Sequence, residues 1–312
     1  MIFHQPSAIL AGMVLFMLMA PLAGQDLEPR AYSASPTGLN FLVVGFGRSS
    51  GGIAFDPAIP ITNAHADIYS PVFGLGRTFG LFGRQALITA ALPYAFGSAS
   101  GNVGPQLQQA SVTRSGLADF RAKFSIILHG SPALSPQEFA KTNHHSLLIG
   151  ASLSLQAPTG QYSSTKLINL GTNRWALRPE LGMSYPWKKF YFDLYAGAWF
   201  FTTNNNFFPG NSVREQDPLP SLQAHISYTF RQRLWLALDG TWYTGGDTSV
   251  NGGPPQGRQN SSRLGVTCSF PVGKKQSLKV AYSDGVTTRF GTNFSTVTVA
   301  WQIRWFGPGS QR

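Results

Sequence analysis

Apolar and polar residues alternate along much of this chain. In "HSLLIGASLSLQAP", Leu147, Ile149, Ala151, Leu153 and Leu155 fall on one side, with Gly150, Ser152, Ser154 and Gln156 on the other. "SLQAHISYTFR" sets Leu222, Ala224, Ile226, Tyr228 and Phe230 against Gln223, His225, Ser227, Thr229 and Arg231, and the closing "TVTVAWQIRWF" sets Val297, Val299, Trp301, Ile303 and Trp305 against Thr298, Ala300, Gln302 and Arg304. A period of two is the signature of a strand with unlike faces. Runs of this kind predict strands near Gly38 to Gly47, Ala64 to Thr78, Arg84 to Phe96, Leu117 to His129, His145 to Ala157 and Arg174 to Tyr185. The series continues near Phe190 to Thr203, Ser221 to Arg231, Leu234 to Gly245, Ser262 to Val272, Ser277 to Gly285 and Phe294 to Phe306.

Alternation alone does not separate a soluble sandwich from a membrane barrel, because both set an apolar face against a polar one. Strand length and connections do. Many of the runs exceed the ~5–6 residues usual in soluble sheets and approach the ~9–11 that cross a bilayer at a tilt. "GLFG", "PWKK", "QR" and "GKKQ" are tight turns, and between them lie the long loops "TGQYSSTKLINLGTN", "NNNFFPGNSVREQDPLP" and "GDTSVNGGPPQGRQN". Short and long connections in turn, with an even strand count, are expected of an antiparallel transmembrane β-barrel of about twelve strands with short periplasmic turns and long extracellular loops. "GSPALSPQEFAKTNH", Gly130 to His144, is long but falls on the short-turn side, where it is expected to hold a short helix or to form a plug.

Composition sharpens this picture. Only 12% of residues are charged although 43% are hydrophobic, and 34 glycines and 13% aromatics accompany them; soluble domains carry about 25% charge. The apolar run Ala8 to Leu22, ending in Ala23 and Gly24, reads as an export signal over residues 1–24, leaving a barrel over residues 25–312. An uncleaved anchor is the alternative, and the run is shorter than the ~20 residues a spanning helix needs. A lone cysteine, Cys268, excludes an intrachain disulfide framework. The 24 Lys and Arg against 13 Asp and Glu give a net charge of +11. Those cations form no stripe with interleaved aromatics, so nucleic acid is not an expected partner. Lipopolysaccharide phosphates meeting loop residues such as Arg214 and Arg258 are more plausible partners, as are outer-membrane lipid and the outer-membrane assembly machinery, which reads a final strand with a near-terminal aromatic.

If the apolar side chains face lipid, the opposite face lines a lumen. That assigns Arg121, Lys123, Arg178, Glu180, Asp193, His225, Asp239, Lys279 and Arg304 to the interior. Charges of both signs there either ring a water-filled path and filter a small-molecule solute, or neutralise one another as a structural plug.

Several stretches in order, "PTGLNFLVVGFGRSSGG", "RTFGLFGRQALITAALPYAFGS", "RSGLADFRAKFSIILHGSPAL", "APTGQYSSTKLINLGTNRWALRPELG", "QDPLPSLQAHISYTF" and "SRLGVTCSFPV", resemble the phenol-degradation MetA-pathway family of outer-membrane proteins. "PTGQY…NLGTNRW…PELG" is the most specific of them, since alternation alone would not generate it. The resemblance spans nearly the whole chain after the export signal and implies a barrel in the bacterial outer membrane that admits small, hydrophobic or aromatic compounds.

Four other chemistries are weaker readings of the pattern. His225 and Ser227, two apart on one strand, could form a lipid hydrolase pair, but the pattern turns them away from lipid, so an enzyme is not expected. His144 and His145 point to opposite faces if they lie on a strand, which is poor metal geometry. Cys268 falls on the apolar face, and "GFGRSSGG" lacks the Lys-Ser/Thr ending of a phosphate loop. No cofactor or metal site is expected. The reading is a passive channel or transporter, with a closed structural or adhesive barrel displaying its loops as the alternative.

Overall fold

The computed structural model describes residues 27–54, 61–103, 108–166, 168–288 and 291–307. The predicted export signal lies outside them. In chain order the strands are β1 (Leu39–Ala54), β2 (Ile61–Leu81), β3 (Arg84–Val103), β4 (Gln108–Leu117) and β5 (Phe120–His129), then helix α1 (Pro136–Lys141), and β6 (Leu148–Ala157), β7 (Ala176–Trp187) and β8 (Phe190–Phe201). There follow β9 (Asn204–Phe207), β10 (Ser212–Gln216), β11 (Leu219–Arg231), β12 (Leu234–Gly245), β13 (Thr248–Val250), β14 (Gln259–Val272), β15 (Gln276–Thr287) and β16 (Gly291–Phe306).

Thirteen of these strands form one antiparallel sheet. β4 and β5 pair with successive parts of β3 and are parted only by Ala118 and Asp119, so together they make one stave. β1 pairs with β16 on one side and β2 on the other, which closes the sheet into a barrel of twelve staves. Closure leaves no unpaired edge, the condition for a sheet to sit in lipid. β9, β10 and β13 form a separate three-stranded sheet within the long loops.

The predicted strands are all present, but several run further than the pattern indicated. β1 continues to Ala54, β2 starts at Ile61, β3 continues to Val103, and the fourth stave starts at Gln108 instead of Leu117. The added segments, such as "SASGN" and "QQASVTRS", are polar on both faces. An apolar alternation marks only the part of a strand that meets lipid, so extensions on the long-loop side carry no such mark.

Parity is as expected. Val297, Val299 and Trp305 are exposed on the outer surface, and Trp301 and Ile303 are half-buried there. The β2–β3 turn shows why the short connections are tight: Phe82 and Gly83 both adopt positive φ, 50° and 71°, as a two-residue hairpin turn requires.

Two features of the short-turn end position the interior. Gly130 to His144 holds α1, started by a capping box in which Ser135 and Glu138 each satisfy the other's backbone, with Pro136 in the first turn. The plug, however, is not this connection. Residues 27–37, ahead of β1, enter the barrel from this end: Thr37 N–H donates to Leu134 O at 2.8 Å, and Leu27 reaches the inner wall at Gly265. Tyr32 and Ala34 pack with Ile127, Phe139 of α1, Leu148 and Tyr195 in one apolar cluster. The helix expected in the connection thus buttresses a plug supplied by the N-terminal segment.

Candidate functional site: a lumen with one packed wall

All nine predicted interior residues lie on the inner side of the barrel. Most of them do not line a path. Lys123, Arg178, Glu180, Asp193, His225 and Asp239 are buried, while Arg121, Lys279 and Arg304 keep partial exposure.

Burial of the first six follows from the plug. Lys123 Nζ lies 2.8 Å from Glu28 and 3.4 Å from Glu180, and Arg178 Nη2 lies 3.7 Å from Glu28 and 3.6 Å from Glu180. Two bases and two acids balance, and the second acid comes from the plug. A buried ion in such a set is tolerable only while its partner stays, so Glu28 is a lock as well as a neutralising charge. Arg30 makes the second lock. Its backbone N–H donates to Asp193 at 3.0 Å, Nε to Ser227 at 2.7 Å and Nη2 to Thr229 at 2.6 Å, and its guanidinium lies 4.7 and 4.9 Å from the ring centres of Tyr191 and Trp235.

Tyr32 makes the third. Gly150 and Gly182 face each other across β6 and β7, and a β-carbon on either would come within 2.2 and 2.0 Å of the Tyr32 ring. The wall is bare there because the ring lies on it. The phenol hydroxyl meets Ser152 at 3.0 Å and donates to Glu180 at 3.1 Å. Lys123, Arg178, Asp193 and Asp239 are therefore buried, and of the two arrangements expected for the interior charges this sector has the mutually neutralising one.

The hydrolase pair is engaged elsewhere. His225 Nδ1 lies 2.8 Å from Asp239 Oδ1, and the Ser227 hydroxyl accepts from Arg30 instead of facing the imidazole. Thr267 donates to the other Asp239 oxygen. His144 is not on a strand: its ring stacks on Phe139 with centres 3.7 Å apart, and Nε2 bonds Phe139 O at 2.8 Å. Burial pushes this imidazole below the usual histidine range, and adjacent His145 adds to the shift.

The opposite sector is different. Lys279, Ala281 and Ser283 of β15 and Thr298, Ala300, Gln302 and Arg304 of β16 point inward and all remain partly exposed. Further round the barrel, Thr89 of β3 and Arg121 of β5 also point inward and are partly exposed. This wall is less fully packed than the other, although the plug reaches its margin: Leu27 abuts Gly265 of the neighbouring β14, the Lys279 ammonium stands 5.5 Å from the Trp235 ring that Arg30 also faces, and Ala300 packs with Phe41, Val43 and Leu87.

At the long-loop end the "PTGQY…NLGTNRW" motif has a structural explanation. Asp119, at the break between β4 and β5, accepts from the backbone N–H groups of Gly160 and Thr172 at 2.9 Å each, from the Thr172 hydroxyl and from Gln156. A β-carbon on Gly160 would come within 2.7 Å of both Asp119 and Gly171. Tyr162 donates to Asn206 O, and Asn173 donates to Asn204, tying this loop to β9. Arg214 lies 5.4 Å from the Phe207 ring, and Arg258 pairs with Asp247 at 3.4 Å.

Sequence reasoning missed Glu28, Arg30, Tyr32 and Asp119. A charge, a charge and an aromatic at alternate positions just before the first strand, together with bare glycines inside β6 and β7, are the signals that could have found the plug.

No curated protein matches the sequence. Among solved structures, the COG4313 outer membrane channel from Pseudomonas putida F1 is similar at 20% identity with a TM-score of 0.74, over 90% of this chain and 100% of that one. The beta domain of the Bordetella autotransporter BrkA is similar at 10% identity and a TM-score of 0.49, over 86% and 100% of the two chains. The transport unit of the autotransporter AIDA-I from Escherichia coli gives 11% and 0.47, over 86% and 90%. The first of these shows the same fold, an outer-membrane barrel. Residues 48–299 match the family described as "Putative MetA-pathway of phenol degradation", and with most of its length inside that match the chain belongs to this family.

Proposed function

We propose that this protein is a passive outer-membrane conduit for small molecules, hydrophobic and aromatic ones included, working without a cofactor or an energy source. The observation that carries the reading is the partly exposed inner face of β15 and β16 beside a firmly held plug. Solute enters between the long loops, passes the small side chains of Ala281, Thr298 and Ala300, and leaves at the short-turn end past Gln302 and Arg304. Lys279, Arg304 and Arg121 give this path a positive lining, so small anions are preferred among ions. Aromatic solutes are favoured by the family's description and by the apolar and hydroxyl-bearing side chains of this sector.

The test is planar-bilayer conductance of the refolded protein, joined to liposome efflux of phenol and benzoate. Small steps with anion preference, weakened in Lys279→Glu and Arg304→Glu, together with faster aromatic efflux than from empty liposomes, are the expected results. Silence in both assays from a protein with heat-modifiable gel mobility would contradict the reading. It would favour the second one, a closed barrel displaying its loops, which the three locks of the plug and the β9–β10–β13 sheet support. Contacts of Arg214 and Arg258 with lipopolysaccharide, and docking of the β16 end on the assembly machinery, belong to either reading.

A further inference from the structure

The net positive charge is unevenly spread. The turns joining β7 to β8, β11 to β12 and β14 to β15 contain Lys188, Lys189, Arg233, Lys274 and Lys275, and Arg231 precedes the second of them. None of the three turns holds an Asp or Glu. Because β8 neighbours β11 and β12 neighbours β14, the turns stand side by side and form one basic arc on the short-turn rim. Arg233 joins two of them by donating to Lys274 O at 3.0 Å and Gln276 O at 3.3 Å. The long-loop end mixes its charges instead, as in Arg258 with Asp247 and Arg48 with Asp67.

Directly beside the arc, on the outer surface, lies an unbroken aromatic patch. Ring centres run from Trp187 to Phe190 at 6.3 Å, Phe190 to Phe192 at 6.1 Å, Phe190 to Tyr228 at 5.0 Å and Tyr228 to Phe230 at 5.0 Å. Trp187 is 47% and Phe230 53% exposed. Two of the turn cations fold over this patch, Lys188 at 5.0 Å from the Trp187 ring and Lys189 at 6.0 Å from the Tyr228 ring. Exposed Arg231 flanks it.

We propose that this patch is a binding site for an anionic phospholipid of the membrane leaflet at the short-turn end, with the phosphate among Lys188, Lys189 and Arg231 and the acyl chains along Trp187, Phe190, Tyr228 and Phe230. Three neighbouring cations, with no acid in the adjoining turns, attract an anion. The wide apolar face immediately beside them, on the lipid side of the barrel, selects an anion that carries hydrocarbon over a free phosphate. Aromatic rings at a membrane interface also hold the glycerol region in place through their amphipathic faces. A lipid there would anchor the rim from which the plug enters.

The test is native mass spectrometry of the full barrel in non-ionic detergent, titrated with phosphatidylglycerol or phosphatidylcholine of matched chains. A cation near an anionic surface contributes about 1 kcal/mol, or roughly fivefold, so the unmodified protein should retain phosphatidylglycerol by at least that factor over phosphatidylcholine. Lys188→Gln/Lys189→Gln, and the same pair with Arg231→Gln, should abolish the preference while gel mobility stays heat-modifiable. Arg214→Gln/Arg258→Gln at the other end should keep it. Glycerol 3-phosphate, the same anion without chains, should not compete. Equal retention of the two lipids, a preference unchanged in the rim variants, or displacement by glycerol 3-phosphate would each overturn the proposal.

Discussion

Two walls of one lumen carry the same sequence pattern and have different environments. On β7, β8, β11 and β12 the inward residues Arg178, Glu180, Asp193, Gln223, His225, Ser227 and Asp239 are buried against the N-terminal segment. On β15 and β16, Lys279, Ala281, Ser283, Thr298, Ala300, Gln302 and Arg304 stay partly exposed, while Phe294 and Thr296 nearer the long loops are buried. Parity decides which way a side chain points, and what fills the space it points into is decided by another part of the chain. A charge on an inner wall is therefore a pore residue or a plug contact according to its sector.

The contrast can be broken most forcefully at its source. Deleting residues 27–36 should raise single-channel conductance several-fold and remove the difference between the walls, since the barrel's hydrogen-bonded sheet begins only at Leu39. An unchanged conductance with intact gel mobility would show that the segment does not occlude.

Glu28→Gln comes next. It leaves Lys123 and Arg178 to share Glu180, and uncovering a buried charge in this way costs about 3–5 kcal/mol. The plug should leave its seat in part, seen as protease cleavage near Arg30 and as noisy, wider conductance. Gly182→Ala should act more gently. A methyl 2.0 Å from the Tyr32 ring overpacks the seat at a cost of about 1–3 kcal/mol, which hydrogen exchange of the plug amides would report. Gly240→Ala, where the β-carbon would meet only Leu264 at 3.5 Å and Ala224 O at 3.8 Å, should leave that exchange unchanged relative to the rest of the barrel.

The smallest effect is expected from pH. His144, outside the strands, is held neutral by burial against Phe139. A base whose folded pKa is depressed stabilises the fold while neutral, fully above its unfolded value, and that contribution is lost as pH falls below the usual histidine range. Exchange of the α1 amides should quicken on acidification through that window, and His144→Gln should flatten the dependence.

The legible and illegible parts divide along the same physical line. Val297 and Val299 outward, Gln302 and Arg304 inward, and the tight Phe82–Gly83 turn all follow from local period and local turn chemistry, so the twelve staves could be read directly. The polar extension Gln108 to Gly116 could not, because beyond the lipid neither face needs to be apolar. Nor could the plug. Arg30 meets Asp193, Ser227 and Thr229 across more than 160 residues of chain, and no period records such a contact. Asp119 was hidden for a similar reason: its partners Gly160 and Thr172 lie on a loop whose motif stood out only by resemblance.

One wall is packed by the plug, and the other keeps partial exposure. With Cys268→Ala as background, Ser227→Cys and Thr298→Cys can be labelled with a charged, water-soluble methanethiosulfonate reagent and their rates compared. Rapid labelling at position 298 with protection at 227, lifted when residues 27–36 are deleted, is the predicted result. Equal rates at the two positions in the intact chain would contradict the account.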